Sequence, residues 1–251
     1  MVSRSASVAN DRPFYARFAE AYDSLITDPV EPWVEAVNGI VTPRAPDVAI
    51  TLLDAGCGTG RQASALARAG YEVEMVDASK ELLAIAGQRC PTLPAHLADL
   101  TDFHLDHTFD VVACRGVLND IIGTEDRQSA IGCLADHVRP GGHLVIDVRD
   151  KTATAAGQPK RSSKSVSTPE GELVLDNVTR WEPPLLVSHE IFTLTTESGI
   201  VEKKDFTFAM QPWTASELRE ALLAAGLVDI RVETASYRLN NDRLFVTATL
   251  T

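Results

Sequence analysis

Apolar and polar positions change period several times along the 251 residues, and each change marks an element. Between residues 14 and 26, Phe14, Phe18, Ala21, Tyr22 and Leu25 recur at helical spacing, and Trp33, Val37, Ile40 and Val41 do so again after Pro32. Residues 50–53 are an apolar run of the kind a buried strand needs, and residues 61–69 return to a helical pattern. Residues 72–77, 109–114 and 145–148 are further candidate strands. From Lys151 a stretch of small and polar residues has no periodicity. Four β-type segments follow, at 164–167, 172–181, 186–196 and 200–210, with Phe206, Phe208 and Met210 on one face of the last. Thr214-Ala215-Ser216-Glu217 then reads as a capping box opening a helix to Gly226, and two strands, 228–237 and 244–250, close the chain around Asn240-Asn241-Asp242-Arg243.

A strand, a glycine turn and a helix at residues 50–69 place a ligand site at the carboxyl edge of an α/β sheet. The turn reads Asp54-Ala55-Gly56-Cys57-Gly58-Thr59-Gly60, which is G-x-G-x-G after an acidic residue and not the dinucleotide fingerprint G-x-G-x-x-G. It resembles motif I of the class I S-adenosylmethionine-dependent methyltransferases. The matches continue in order: Asp77 closes the second strand, Ala78 to Leu83 looks like the next helix start, and Ala98-Asp99-Leu100 and Arg139-Pro140-Gly141-Gly142 resemble later motifs. The resemblance covers about residues 50–150.

That resemblance implies a Rossmann-like seven-stranded sheet with an antiparallel β insertion, a lid, after strand five, as in sugar N-methyltransferases. It divides the chain into a mobile tail (1–13), a methyltransferase core (14–150 and 212–251) and a lid (151–211). S-adenosylmethionine is the implied cofactor and S-adenosylhomocysteine its product. Ala55, Gly56, Cys57 and Gly58 would lie beneath the cofactor, Asp77 would accept from both ribose hydroxyls, and Ala78, Leu82 and Cys114 would line its surroundings. Asp99 would accept from the adenine amino group, with Ala98 and Leu100 beside it. Tyr22, and less directly Tyr15, would reach the methionine end, as would Arg61 unless it is merely an exposed first-turn arginine.

The acceptor is less constrained. After strand four, Arg115 could bind an anionic group, Asn119 orient a nucleophile and Asp120 take its proton, although the last two could equally cap a short helix. Arg149 is a second pocket candidate. In the lid, His189 is a candidate base between Val187 and Ile191, and Arg180 and Trp181 are candidate substrate contacts; cross-strand packing is the alternative for each.

Net charge is −12 and the sequence pI about 4.9, which disfavours nucleic acid as a partner. The four cysteines form no C-x-x-C pair, no metal site is expected, and no segment reads as a membrane span, so a cytoplasmic monomer or homodimer is expected. The implied activity is methyl transfer to nitrogen or oxygen of a small molecule, such as a sugar or natural-product intermediate. A catalytically idle binding module and a nicotinamide-dependent oxidoreductase are the alternatives.

Overall fold

Strands that are apolar without alternation need cover on both faces, and the central sheet provides it. A computed structural model of the protein describes residues 11–41, 48–235 and 242–251. The central strands are β1 (Ile50–Ala55), β2 (Tyr71–Asp77), β3 (Ala95–Leu97), β4 (Phe109–Arg115) and β5 (Val138–Arg149), all parallel. A separate four-stranded antiparallel sheet follows: β6 (Lys160–Thr168), β7 (Gly171–Glu182), β8 (Leu185–Thr195) and β9 (Val201–Met210). β10 (Leu227–Thr234) and β11 (Arg243–Leu250) return to the first sheet, whose order is β10-β11-β5-β4-β1-β2-β3, with β11 antiparallel to both neighbours. The order reverses at β1, between β2 and β4, and there the glycine turn leaves the sheet.

Seven helices accompany these strands: α1 (Tyr22–Leu25), α2 (Glu31–Asn38), α3 (Arg61–Arg68), α4 (Lys80–Arg89), α5 (Thr124–Asp136), α6 (Lys151–Ala156) and α7 (Ala215–Ala224) among the described residues. One face of the central sheet buries Leu53, Val112, Ile146 and Val148 against Ile131 and Leu134 of α5 and Leu218 and Leu222 of α7. The other buries Leu52, Val111 and Val145 against Trp33 and Val37 of α2, Leu66 of α3 and Ala86 of α4. The predicted capping box at Thr214 and Glu217 is formed, and it fixes where α7 begins.

The inner face of the lid sheet carries Leu173, Leu175, Phe192 and Leu194, which pack on Phe14, Phe18, Ala21 and Leu25. The N-terminal segment is thus a layer between lid and core. This explains one departure from the sequence reading. The single helix expected over 14–26 is instead a run of turns, a 3-10 helix at Ala19–Ala21 and the short α1, because its apolar residues serve two surfaces and not one stripe. A second departure is α6, where a structureless connection was expected: Asp150 Oδ1 accepts from the amide of Ala153 at 2.6 Å and starts a helix too short to show periodicity. Of the tail expected over residues 1–13, positions 1–10 lie outside the described residues, and Arg12 is docked against the lid. The end of the strand expected over 228–237 and the turn at Asn240-Asn241 also lie outside the described residues.

Candidate active site

β1 delivers the glycine turn, and its three glycines have different reasons to be glycine. All have positive φ: +74° at Gly56, +56° at Gly58 and +74° at Gly60. A Cβ on Gly56 would fall 2.2 Å from Cγ2 of Val117, and one on Gly60 3.1 Å from Cβ of Ala86, so these two permit packing of the loop after β4 and of α4. A Cβ on Gly58 would meet nothing within 4 Å. Gly58 alone of the three faces open space.

That space is a cavity of about 290 Å³ between the turn, the loop after β4 and the N-terminal segment. Tyr15, Tyr22, Gly56, Cys57, Gly58, Arg61, Asp77, Ala78, Leu82, Asp99, Leu100, Arg115, Asp120 and Arg149 all line it. Asp77, at the end of β2, accepts from the amide of Gly58 through Oδ2 and from that of Ser79 through Oδ1, both at 2.8 Å. Burial pushes its carboxyl upward, against these amide contacts. These amides leave part of the carboxylate's four lone-pair positions for a ligand hydroxyl. Asp99 Oδ1 accepts from the amide and hydroxyl of Thr101, at 2.9 and 2.8 Å, which fixes the carboxylate beside Leu100. Leu82 and Leu100 add apolar wall.

The N-terminal segment is fastened over this cavity by polar contacts. Thr59 Oγ1 donates to Asp23 at 2.5 Å, Arg89 pairs with the other Asp23 oxygen, and Ser79 Oγ donates to the carbonyl of Tyr15 at 2.7 Å. Arg61, on the cavity wall, donates to the carbonyls of Ile26 and Asp28 at 2.5 and 2.9 Å, so it clamps the segment. Also on the cavity wall, Tyr15 donates its hydroxyl to Asp120 Oδ2 at 3.1 Å. Burial raises the Asp120 carboxyl above the ordinary value, with Arg12, the Tyr15 hydrogen bond and Arg149 opposing it. Asp54 lies beneath the turn with Oδ2 unpartnered, and burial raises its pKa to about 7 against the pull of Arg115.

Several expected site residues are elsewhere. The pleat of β8 turns even-numbered residues inward, so His189 faces outward, where Nε2 contacts Asp205 Oδ1 at 2.8 Å. Apolar Val187 and Ile191 belong to that same outer face, and their hydrophobicity suggested the wrong side. The His189→Ala variant is therefore expected to turn over within about twofold of wild type, since an exposed ion pair contributes little; steady-state kinetics checks this. Asn119 is a buried brace: Nδ2 donates to the carbonyl of Gly116 at 3.1 Å, and Oδ1 accepts from the amide of Arg149 at 2.7 Å. It therefore orients no nucleophile. Arg180 is exposed and Trp181 packs beside Leu186, Phe208 and Met210; neither lines the cavity. Ala55 and Cys114 are fully buried inside their strands and Ala98 packs on the core, so all three support the cavity without lining it.

The cavity also contains residues the sequence reading passed over. Val117 and Ile121 are apolar wall, Ser79 caps α4, and Arg243 pairs with the buried Asp147 across β11 and β5. Ser79 after Asp77 was a readable cap signal; Arg243, brought in by strand pairing, gave no local one.

Strand order, glycine turn and acidic strand end together give the core the fold of a methyltransferase domain. Residues 53–146 match the family model described as a methyltransferase domain. The chain is 30% identical over 151 residues to dTDP-3-amino-3,6-dideoxy-alpha-D-glucopyranose N,N-dimethyltransferase of Streptomyces fradiae, covering 59% of each chain. It is 35% identical over 136 residues to the cypemycin N-terminal methyltransferase of a Streptomyces species, covering 52% of this chain and 54% of that one. These matches span little more than half the length of either relative. The fold, lid included, is also that of the sugar N-methyltransferase KedS8 from Streptoalloteichus: TM-score 0.78 and 24% identity over 94% of this chain and 92% of that one. DesVI of Streptomyces venezuelae has TM-score 0.77 and 21% identity, over 93% and 98%.

Proposed function

We propose that the protein transfers the methyl group of S-adenosylmethionine to the nitrogen of a small-molecule amine and releases S-adenosylhomocysteine. The observation that carries this reading is one cavity lined both by Asp77 and Gly58, which suit the cofactor, and by the Tyr15–Asp120 pair, which suits the acceptor. The cradle fits the cofactor: Gly58 leaves room at the turn, Asp77 has lone pairs for the ribose, and Leu82, Asp99 and Leu100 suit the base. When bound, the cofactor supplies a methyl group already activated by a positively charged sulfur.

The chain's own contribution is alignment, exclusion of water and handling of one proton. Tyr15 and Tyr22, held by the fastened N-terminal segment, cover the cavity. An amine arriving as ammonium must lose a proton to expose its lone pair, and Asp120 is the group that accepts it. Arg149, which acts on Asp120, and Arg115, also on the cavity wall, suit an anionic group elsewhere on the acceptor. The amino-sugar N,N-dimethyltransferase named above supports nitrogen as an acceptor atom.

We further read the protein as a cytoplasmic monomer or homodimer without a nucleic-acid partner. Its net charge of −12 and four free cysteines support this. No helix among the described residues is long and apolar enough to cross a membrane.

The test is incubation with S-adenosylmethionine and matched panels of amino sugars, amino acids and their hydroxyl analogues, read by mass spectrometry. Methylated amines are expected. Methylation confined to hydroxyls would transfer the reading to oxygen, and silence across both panels with S-adenosylhomocysteine still bound would favour the idle module.

A further inference from the structure

Arg12 falls in the stretch expected to be a tail, yet its side chain is only 12% exposed and is held on several sides. Its Nε donates to Glu190 Oε2 at 3.0 Å and its Nη2 to Oε1 at 2.5 Å, a two-point contact with a lid residue whose side chain is 1% exposed. Its guanidinium carbon lies 4.5 Å from the ring centroid of Tyr15 and 4.2 Å from that of Phe208 on β9. Tyr15, thus covered, is the residue that donates to Asp120.

A buried ion pair adds little net stability, because desolvation offsets its attraction, and apolar side chains could fill the same volume. Its location beside the acceptor end gives it another use. We propose that Arg12, anchored by Glu190, is a positioning residue that holds Tyr15 against Asp120, so that the acceptor end is complete only while the N-terminal segment and the lid are docked together. The inference rests on the reading of Asp120 as the acceptor-end carboxylate.

The charged and titratable groups around Asp120 are Arg12 and Tyr15 from the N-terminal segment, with Tyr22 beside them, Arg149 from the end of β5, and Glu190 from the lid. Arg12 is the strongest of those favouring the carboxylate against burial, ahead of Tyr15 and Arg149, while Glu190 acts weakly the other way. Removing both charges of the pair should therefore leave Asp120 harder to ionise. Their individual roles oppose each other, so the pair must be changed together.

The full-length Arg12→Gln/Glu190→Gln variant keeps two hydrogen-bonding side chains in that space and removes both charges. Its Asp120 carboxyl carbon is followed by carbon-13 NMR in aspartate-labelled protein without ligand, the signal being assigned by its loss in Asp120→Asn. The midpoint is expected to rise by about one unit relative to wild type, with affinity for S-adenosylhomocysteine, measured by calorimetry, within about threefold. Arg12→Lys, which retains the charge, is expected to keep a midpoint closer to wild type than to the double variant. A midpoint in the double variant at or below wild type, or one in Arg12→Lys as high as in the double variant, overturns the proposal. A parallel loss of S-adenosylhomocysteine affinity also overturns it, because the pair would then be acting on the whole cavity. The titration reads the carboxylate itself, so it stands apart from any turnover result that would remove Asp120 from the acceptor role.

Discussion

Asp77→Ala is expected to weaken binding of S-adenosylhomocysteine by about 100-fold or more, the equivalent of about 2.7 kcal/mol. Two losses combine. The first is the pair of charge-assisted hydrogen bonds to a ribose diol, each worth roughly 1.5–3 kcal/mol against water before any compensation. The second is internal: the Asp77 oxygens also hold the amides of Gly58 and Ser79, so alanine frees the part of the glycine turn that faces the cavity. Asp77→Asn separates the two. One asparagine oxygen can still accept, but its amino group meets an amide that also donates, so a loss of intermediate size is expected. Calorimetric titration of the three proteins checks the order. Equal affinity in wild type and Asp77→Ala would show that the cavity does not hold the nucleoside as proposed. Thermal melts guard against misreading an unfolded variant: relief of a buried charge offsets part of the lost amide contacts, so the variant is expected to remain folded at room temperature.

The elements around Asp77 were legible because their determinants are local. Leu52 and Leu53, Val111 to Cys114 and Leu144 to Ile146 are apolar in unbroken runs, as strands covered on both sides require. The glycine turn, the acidic end of β2 and the capping box at Thr214 are each contained within a few consecutive residues. The acceptor end was less legible because it is assembled from three places in the chain. Arg12, Tyr15, Asp120 and Glu190 meet through docking of the N-terminal segment between lid and core, and no periodicity encodes such a meeting. His189 shows the same limit at one-residue resolution. Alternation located the strand, but both faces of β8 carry apolar residues, so the inward face could be chosen only once Phe192 and Leu194 were seen packing on Phe14 and Phe18. Asn119 was placed correctly after β4, but a side chain that can donate and accept at once is equally suited to bracing a loop, and here it braces one.

Asp120→Asn is the variant with the largest expected effect on turnover, a fall in kcat/KM of about 100-fold with an amine acceptor, the lower end of what proton transfer by a positioned side chain contributes. Asparagine has the same shape and can still accept from the Tyr15 hydroxyl, but it cannot take up a proton. Affinity for S-adenosylhomocysteine should stay near the wild-type value, since Asp77 and Gly58 are untouched. The pH dependence gives a second reading. Burial raises the Asp120 carboxyl above its ordinary value, so in wild type kcat/KM should fall as pH drops through a midpoint above the usual carboxylate range. That limb should be absent from Asp120→Asn. The stability effect has the opposite sign: a carboxyl that holds its proton more tightly when folded contributes stability at low pH and loses it as pH rises through the folded-state value. The asparagine variant therefore avoids a destabilisation that wild type carries at neutral pH, and it should melt no lower there. Lost turnover in a protein that is folded and still binds the demethylated cofactor would then be a loss of proton transfer. If instead kcat/KM and its acid limb are unchanged in Asp120→Asn, Asp120 has no part in the reaction, and Tyr15 would be left as the polar group facing the acceptor.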